Sequence, residues 1–428
     1  MTVVGQPQVT YAYDNADRLT TITQNTSTVT IGYDDADRRT SLTLPNTNSI
    51  IYVYNAASEL TSLTYKQGAT TLGTVTYTYD LAGNRLTTGG TFARSNIPPT
   101  LTPTDYNANN QQLTFGTTTE TYDLNGNLAT TTDAGITTTY TWNARNQLTG
   151  IGKTGFTASF TYDSFGRRTD RTVNGVVTNF VYDGLNPVQE KNGATVTANL
   201  LTGLGIDEFF TRTDGVGVRA LLPDALSSTI ALGDGTGTLQ TQYTYEPFGF
   251  VSQTGAASTN SYKYTGREDD GSGLYYYRAR YYQPRLQRFI SEDPIGFRSG
   301  INFYRYVANN PTKWADPAGL GPIGFWVCTV ANMGKQANDI RRYLDLLNEN
   351  TRLTREMLTR VQSEITACPS KDTERLVALG NIQDRLQLQL AQLLLTHASD
   401  VTMSGLYQVS EGMIWEGVCG LMYMLPTP

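Results

Sequence analysis

The sequence predicts a mostly β N-terminal part, hairpins coiling into an extended sheet or partial shell, followed by an all-α C-terminal domain. Three observations predict it. The 428 residues include 27 tyrosines and 40 glycines, suited to pleated half-buried surfaces and to the turns between them. A Tyr-Asp dyad recurs along the chain at steps near twenty residues. After Leu320 the composition turns from Tyr/Thr/Gly-rich to Leu/Arg/Glu-rich.

The repeat comes first. The dyads are Tyr13-Asp14, Tyr33-Asp34, Tyr79-Asp80, Tyr122-Asp123, Tyr162-Asp163 and Tyr182-Asp183, with variants Tyr54-Asn55 and Trp142-Asn143. Asp, Asn and Gly in the next residues supply Asx turns and positive-φ positions, so each unit reads strand, tight turn, strand. In Val75-Thr76-Tyr77-Thr78-Tyr79 the aromatics fall on one face and threonines on the other. A hairpin cannot bury its apolar face alone, so neighbours must stack. The periodicity favours packing and turn initiation as the role of the dyads over sugar binding.

The next element is the segment Tyr275–Leu320, where an aromatic and Arg-rich strand signal leads into Asp293-Pro294 and, 23 positions on, Asp316-Pro317. By themselves two Asp-Pro dipeptides mean two turns. The last element, residues 321–428, reads as helical. Ile340, Tyr343, Leu344, Leu347, Leu353, Met357, Val361 and Ile365 largely trace one helical face up to Cys368-Pro369. Ser370 or Asp372 can cap a second helix carrying Leu376, Leu379, Ile382, Leu386, Leu390, Leu393 and Leu394. Together they make an αα-hairpin.

Bulk properties exclude several classes. Charged residues make up 16% and the net charge is −6, against a nucleic-acid-binding surface spread over the protein. Cys328, Cys368 and Cys419 fit neither a disulfide framework nor a zinc site, leaving three buried thiols or one disulfide and a free thiol. No metal or cofactor is expected. The N-terminus lacks the pattern of a secretory signal, and no run of 18 apolar residues spans a membrane as a helix. The expectation is a cytoplasmic protein exported by a non-classical route to the surface or the medium. His397, at the end of the second helix, reads as a solvated residue or one that stabilises the helix C-terminus rather than as a catalyst, and the tail shows no catalytic constellation.

The repeats resemble the YD repeats of the RHS family, whose bacterial members and the animal teneurins build β-shells. Leu222-Pro223-Asp224-Ala225-Leu226-Ser227-Ser228-Thr229 and Tyr245-Glu246-Pro247-Phe248-Gly249 resemble two of its signatures. Tyr264-Thr265-Gly266-Arg267-Glu268, Gly273–Tyr282, Asn309-Asn310-Pro311 and Asp316-Pro317-Ala318-Gly319-Leu320 resemble the RHS repeat-associated core. The resemblance covers about residues 1–320 and departs at Ser227, Glu246, Gln283 and Phe297. It implies a repeat region over 1–220, a core with an autoproteolytic site over 221–320, and a variable effector domain over 321–428.

It also implies chemistry. In this family an intramolecular aspartyl protease cuts after the closing Leu. By position the dyad is Asp293 and Asp316, the supporting arginine is Arg280, and the cut bond is Leu320–Gly321. Two close carboxylates cannot both ionise, so one serves as base on a water while the other protonates the carbonyl or the leaving nitrogen. A tethered bond makes the step unimolecular. The expected function is a polymorphic toxin or its C-terminal cassette, releasing its own C-terminal domain as cargo, with an immunity protein and a secretion apparatus as partners. The alternative is a non-enzymatic YD-repeat scaffold binding carbohydrate or a cell surface, with an inert helical tail.

Overall fold

A computed structural model describes residues 1–98 and 104–321, together with residue 356 and residues 358–363. One compact unit comprises Met1–Pro294 and Tyr304–Pro322. The second comprises residues 295–303 and 323–428. In it, Gly296–Ser299 forms a single 3-10 turn, the Phe297 and Phe303 rings meet edge-on at 4.8 Å, and residues 356 and 358–363 are helical. The remaining helices read from the sequence, and all three cysteines, lie outside the described residues.

The first unit is built from three antiparallel sheets. Eight strands from Val9–Tyr13 to Arg85–Gly89 follow one another in chain order, and sixteen more run from Thr104–Tyr106 to Val251–Gly255. The third sheet has four short strands, Glu268–Asp269, Tyr275–Tyr277, Arg280–Gln283 and Arg288–Phe289. Within each sheet, every neighbour in sequence is a neighbour in space, as stacked hairpins require.

The dyads explain the stacking. Asp14 Oδ1 accepts the amides of Ala16 and Arg18 at 2.9 and 3.0 Å, while Asp17 takes φ +59. The same Asx turn recurs at Asp34, Asn55, Asp80, Asp123, Asn143 and Asp163, with Asp37, Ser58, Gly83, Gly126, Asn146 and Gly166 in the left-handed position. Left-handed backbone is cheap only for Gly, Asn and Asp, which is why those types crowd the turn. The aromatic partner reaches back one hairpin. Tyr33, Tyr54, Tyr79, Tyr162 and Tyr182 donate their hydroxyls to the carbonyls of Leu19, Arg39, Leu60, Leu148 and Arg168, and the Trp142 indole donates to Leu128. Each such bond is worth about 1 kcal/mol and joins consecutive units.

The turn also occurs at Asn107, which follows Tyr106 and is a further Tyr-Asn copy of the dyad, and at Asp224 and Asp234, where Pro223 and Gly233 stand in place of the aromatic. Asp183 does not use it. There the strand continues through Asp183, which pairs with Asn186 across a two-residue Gly184-Leu185 turn. Gly184 supplies the positive φ of that shorter turn.

The four-stranded sheet is buried on both faces, and its period-two alternation divides two cores. Tyr275, Tyr277, Tyr282 and Phe289 join the core made by Ile22, Ile31, Ile50 and Leu63 of the first sheet and Phe210, Leu221 and Leu232 of the second. Tyr276, Tyr281 and Ile290 face the other way, against Leu128, Leu148, Ile151 and Phe160. This is the reason for the Tyr-Tyr-Tyr run. A strand wet on one face would alternate with polar residues. Arg168, fully buried, ties this sheet to the large one through Glu268 and Asp270 at 2.5 Å. Removing either partner would leave an uncompensated buried charge.

Candidate functional site

The strand Arg280–Gln283 and the loops carrying Asp293 and Asp316 converge at the end of the first unit. Arg280, Asp293 and Asp316 are all buried, at 1%, 5% and 0% exposure. Arg280 Nη2 lies 2.7 Å from Asp293 Oδ2 and 3.6 Å from Asp316 Oδ2, so a single guanidinium nitrogen brings both carboxylates to one place. Its face stacks on the Phe289 ring, 3.6 Å from the centroid. That packing fixes the plane in which the guanidinium can donate.

The segment 316–321 folds back on Asp316. Leu320 N–H donates to Asp316 Oδ1 at 3.0 Å, and Gly321 N–H to Oδ2 at 2.7 Å. Burial pushes the Asp316 carboxyl above its usual range; the charge of Arg280 and the backbone N–H groups act against this without reversing it. Burial likewise lowers Arg280, and the two aspartates counter it. The sequence-derived residues therefore meet at one point, with the Leu320–Gly321 peptide nitrogen within hydrogen-bond reach of one carboxylate.

The hairpin Tyr275–Gln283 holds this segment along its length. Arg278 donates to the Pro317 carbonyl, Ala279 N–H donates to Ala318 O at 3.2 Å, and Arg280 Nε donates to Gly319 O. Gly319, at φ +69, passes so close that a Cβ there would lie 2.2 Å from Tyr277 O. Sequence reasoning found Arg280, Asp293, Asp316, Leu320 and Gly321 but missed Arg278 and its partner Asp207. Arg278 sits in the visible run Tyr277-Arg278-Ala279-Arg280, two residues before the selected arginine. Asp207 carries no local signal.

Among the described residues, no group of three or more His, Cys, Asp or Glu could hold a metal ion. Among the same residues, no helix is long and apolar enough to cross a membrane.

Stacked Asx-turn hairpins bonded through their tyrosines, with a buried terminal sheet holding the end of the unit, define a YD-repeat shell protein. A family model described as Teneurin YD-shell matches residues 40–312, and the chain belongs to that family. Curated relatives include Toxin subunit YenC1 of Yersinia entomophaga, 39% identical over 137 residues, 31% of this chain and 13% of that protein. Toxin protein Tse5 of Pseudomonas aeruginosa is 37% identical over 98 residues, 23% of this chain and 7% of that one. The chain thus spans a small fraction of the length of these relatives. A solved structure of the Tc holotoxin pore of Photorhabdus luminescens matches 73% of this chain and 20% of its own, with a TM-score of 0.55 and 20% identity. That likeness bears on the fold alone.

Proposed function

We propose that this chain is the shell end of an RHS-type polymorphic toxin that cuts itself after Leu320, freeing residues 321–428 as a C-terminal effector. The observation that carries the proposal is the 2.7 Å contact between Asp316 Oδ2 and the Gly321 nitrogen, beside an Arg280–Asp293 ion pair. In this reading 1–220 is the repeat region and 221–320 the core. The named toxin relatives support the toxin role. The freed domain is then the shell's own cargo, and an immunity protein and an export apparatus are its implied partners.

This reading assigns each carboxyl a role. Asp293, paired with Arg280, takes a proton from a water as its oxygen attacks the Leu320 carbonyl carbon. Once water addition has turned the planar Gly321 nitrogen tetrahedral and given it a lone pair, Asp316, whose protonated form is favoured by burial, gives its proton to that nitrogen as the C–N bond breaks. The products are a Leu320 carboxyl and a Gly321 amine, with Asp293 protonated and Asp316 ionised. Holding the bond beside both carboxylates replaces a bimolecular encounter with a unimolecular step.

The test is the wild-type chain on a denaturing gel beside Asp316→Asn and Asp293→Asn. The wild type should run as two fragments ending and beginning at Leu320 and Gly321, and both variants should run intact. A folded wild type that stays whole, or an Asp316→Asn chain that is still cut, refutes the protease. Expression of residues 321–428 alone in a bacterial cytoplasm tests the effector role, and harmless expression counts against it.

A further inference from the structure

We infer that Arg278 is a positioning residue for the cut, and that Asp207 makes the seating of the scissile segment conditional on the sixteen-stranded sheet. The inference rests on the self-cleavage proposed above and adds what licenses it.

Arg278 lies at the turn between two strands of the four-stranded sheet, in left-handed backbone at φ +58. Its guanidinium bonds three separate segments. Nη2 donates to Leu185 O at 3.0 Å and to Asp207 Oδ1 at 2.7 Å, while Nη1 donates to Asp207 Oδ2 at 3.1 Å and to Pro317 O. Leu185 and Asp207 belong to turns of the large sheet, and Pro317 follows Asp316 directly. Only a planar fork with several fixed donors can span three such acceptors at once.

Asp207 is itself built in. It is 4% exposed, takes φ +62, and donates its amide to Asn186 Oδ1 at 2.8 Å. Asn186 in turn donates to Gly205 O at 2.8 Å, so the two turns of the large sheet hold each other. Arg267, also buried, shares the Asp207 carboxylate and donates to Tyr276 O from the neighbouring strand. Gly266 packs so closely that a Cβ there would come within 2.9 Å of Asp207 Cβ.

The chain of contacts therefore runs from the turns at 184–186 and 203–208, through Asp207 and Arg278, to the carbonyl beside Asp316. Until those turns form, Arg278 lacks the anion that orients it, and Pro317 lacks its donor. Two of the remaining holds on the segment, Ala279 N–H and Arg280 Nε, come from the hairpin alone and do not report on the large sheet. Arg278 is the link that does. Cleavage would then follow shell formation, which keeps the effector attached while the sheet is incomplete.

The experiment follows cleavage over time in full chains made by cell-free translation: wild type, Arg278→Gln, Arg278→Lys, Asp207→Asn, the pair Asp207→Asn with Arg278→Gln, and Arg212→Gln. The last breaks another buried ion pair of the large sheet, whose side-chain partners are Glu190, Asp214 and Thr259. Thermal unfolding of each variant is measured in the Asp316→Asn background, where the chain stays whole. Arg278→Gln and Asp207→Asn should each slow cutting by about ten- to a hundredfold. The pair should be little slower than either alone, and Arg278→Lys should recover part of the rate. Arg212→Gln should lower Tm comparably while keeping the rate within about twofold, by additivity of distant sites.

Cutting of Arg278→Gln at the wild-type rate overturns the inference and leaves the protease standing. So does an equal slowing by Arg212→Gln, which would make the effect one of general stability. Should Arg278→Gln fail to fold, the near-isosteric Asp207→Asn decides by the same criterion. A wild type that is never cut removes the underlying reading and this one with it.

Discussion

Replacing Gly319 by Ala tests the geometry of the junction more sharply than removing a carboxylate does. An Ala Cβ would stand 2.2 Å from Tyr277 O and 3.1 Å from Arg280 N, both backbone atoms of the central hairpin. Neither can move without shifting a strand buried on both faces, so the 316–321 segment must give way. Restoring an ordinary carbon–oxygen contact requires a displacement of about 1 Å. The left-handed backbone at φ +69 adds roughly 1–2 kcal/mol of strain for any residue with a Cβ. A shift of this size at the Gly321 nitrogen lengthens its 2.7 Å contact with Asp316 beyond hydrogen-bonding range. Displacements of about 1 Å cost on the order of a hundredfold in rate, and this is the expected slowing. The assay is the same time course of fragment appearance. Gly135→Ala is the control, because Gly135 has a comparable φ of +78 and no atom within 4 Å of its would-be Cβ. It should be cut at the wild-type rate. If Gly319→Ala is also cut at that rate, the close approach does not position the bond and the reasoning fails.

Two pH dependences follow from the buried carboxyls. If Asp316 acts as the acid, its protonated form is required, so cutting should slow as pH rises through its raised pKa; a rate that climbs steadily into the alkaline range would reverse its role. Burial pushes Glu120 from 4.5 up to about 7, while its bond from the Tyr122 hydroxyl and the charge of Arg288 act to lower it. The folded state therefore holds this proton more tightly, and the stability it confers is complete below about pH 4.5 and lost as pH rises through about 7. The loss is roughly 3 kcal/mol. Glu120→Gln should remove that component, so denaturation midpoints of variant and wild type should converge at low pH and part at neutral pH; a constant difference across the range would contradict it.

Much of the repeat region is legible in the sequence because its determinants are local. The Asx turns need Asp or Asn at the first position and a tolerant residue three positions on, and both appear in the dyad pattern. The backward bond from the aromatic hydroxyl or indole N–H spans 14 positions at Tyr33, Trp142, Tyr162 and Tyr182, 15 at Tyr54 and 19 at Tyr79, the length of one hairpin, so it too is a local property. Tyr182-Asp183 shows the limit of the pattern. A glycine directly after the dyad admits a shorter turn, and the same two letters end a different hairpin.

The junction divides the same way. Sequence alone selected Arg280, Asp293, Asp316 and the Leu320–Gly321 bond through their resemblance to a family motif, and it could attach a general acid–base argument to them. It could not say which aspartate meets the Gly321 nitrogen, because that depends on how the loop after Asp316 folds back. Tertiary structure decided it: Gly319 passes over Tyr277 O, and the Leu320 and Gly321 amides turn onto Asp316. It also decided Asp207, 71 residues from Arg278, where a charge acquires meaning only when two sheets meet. Short-range turn chemistry is written in neighbouring residues, whereas the pairing of buried charges is set by which surfaces the folded chain brings together.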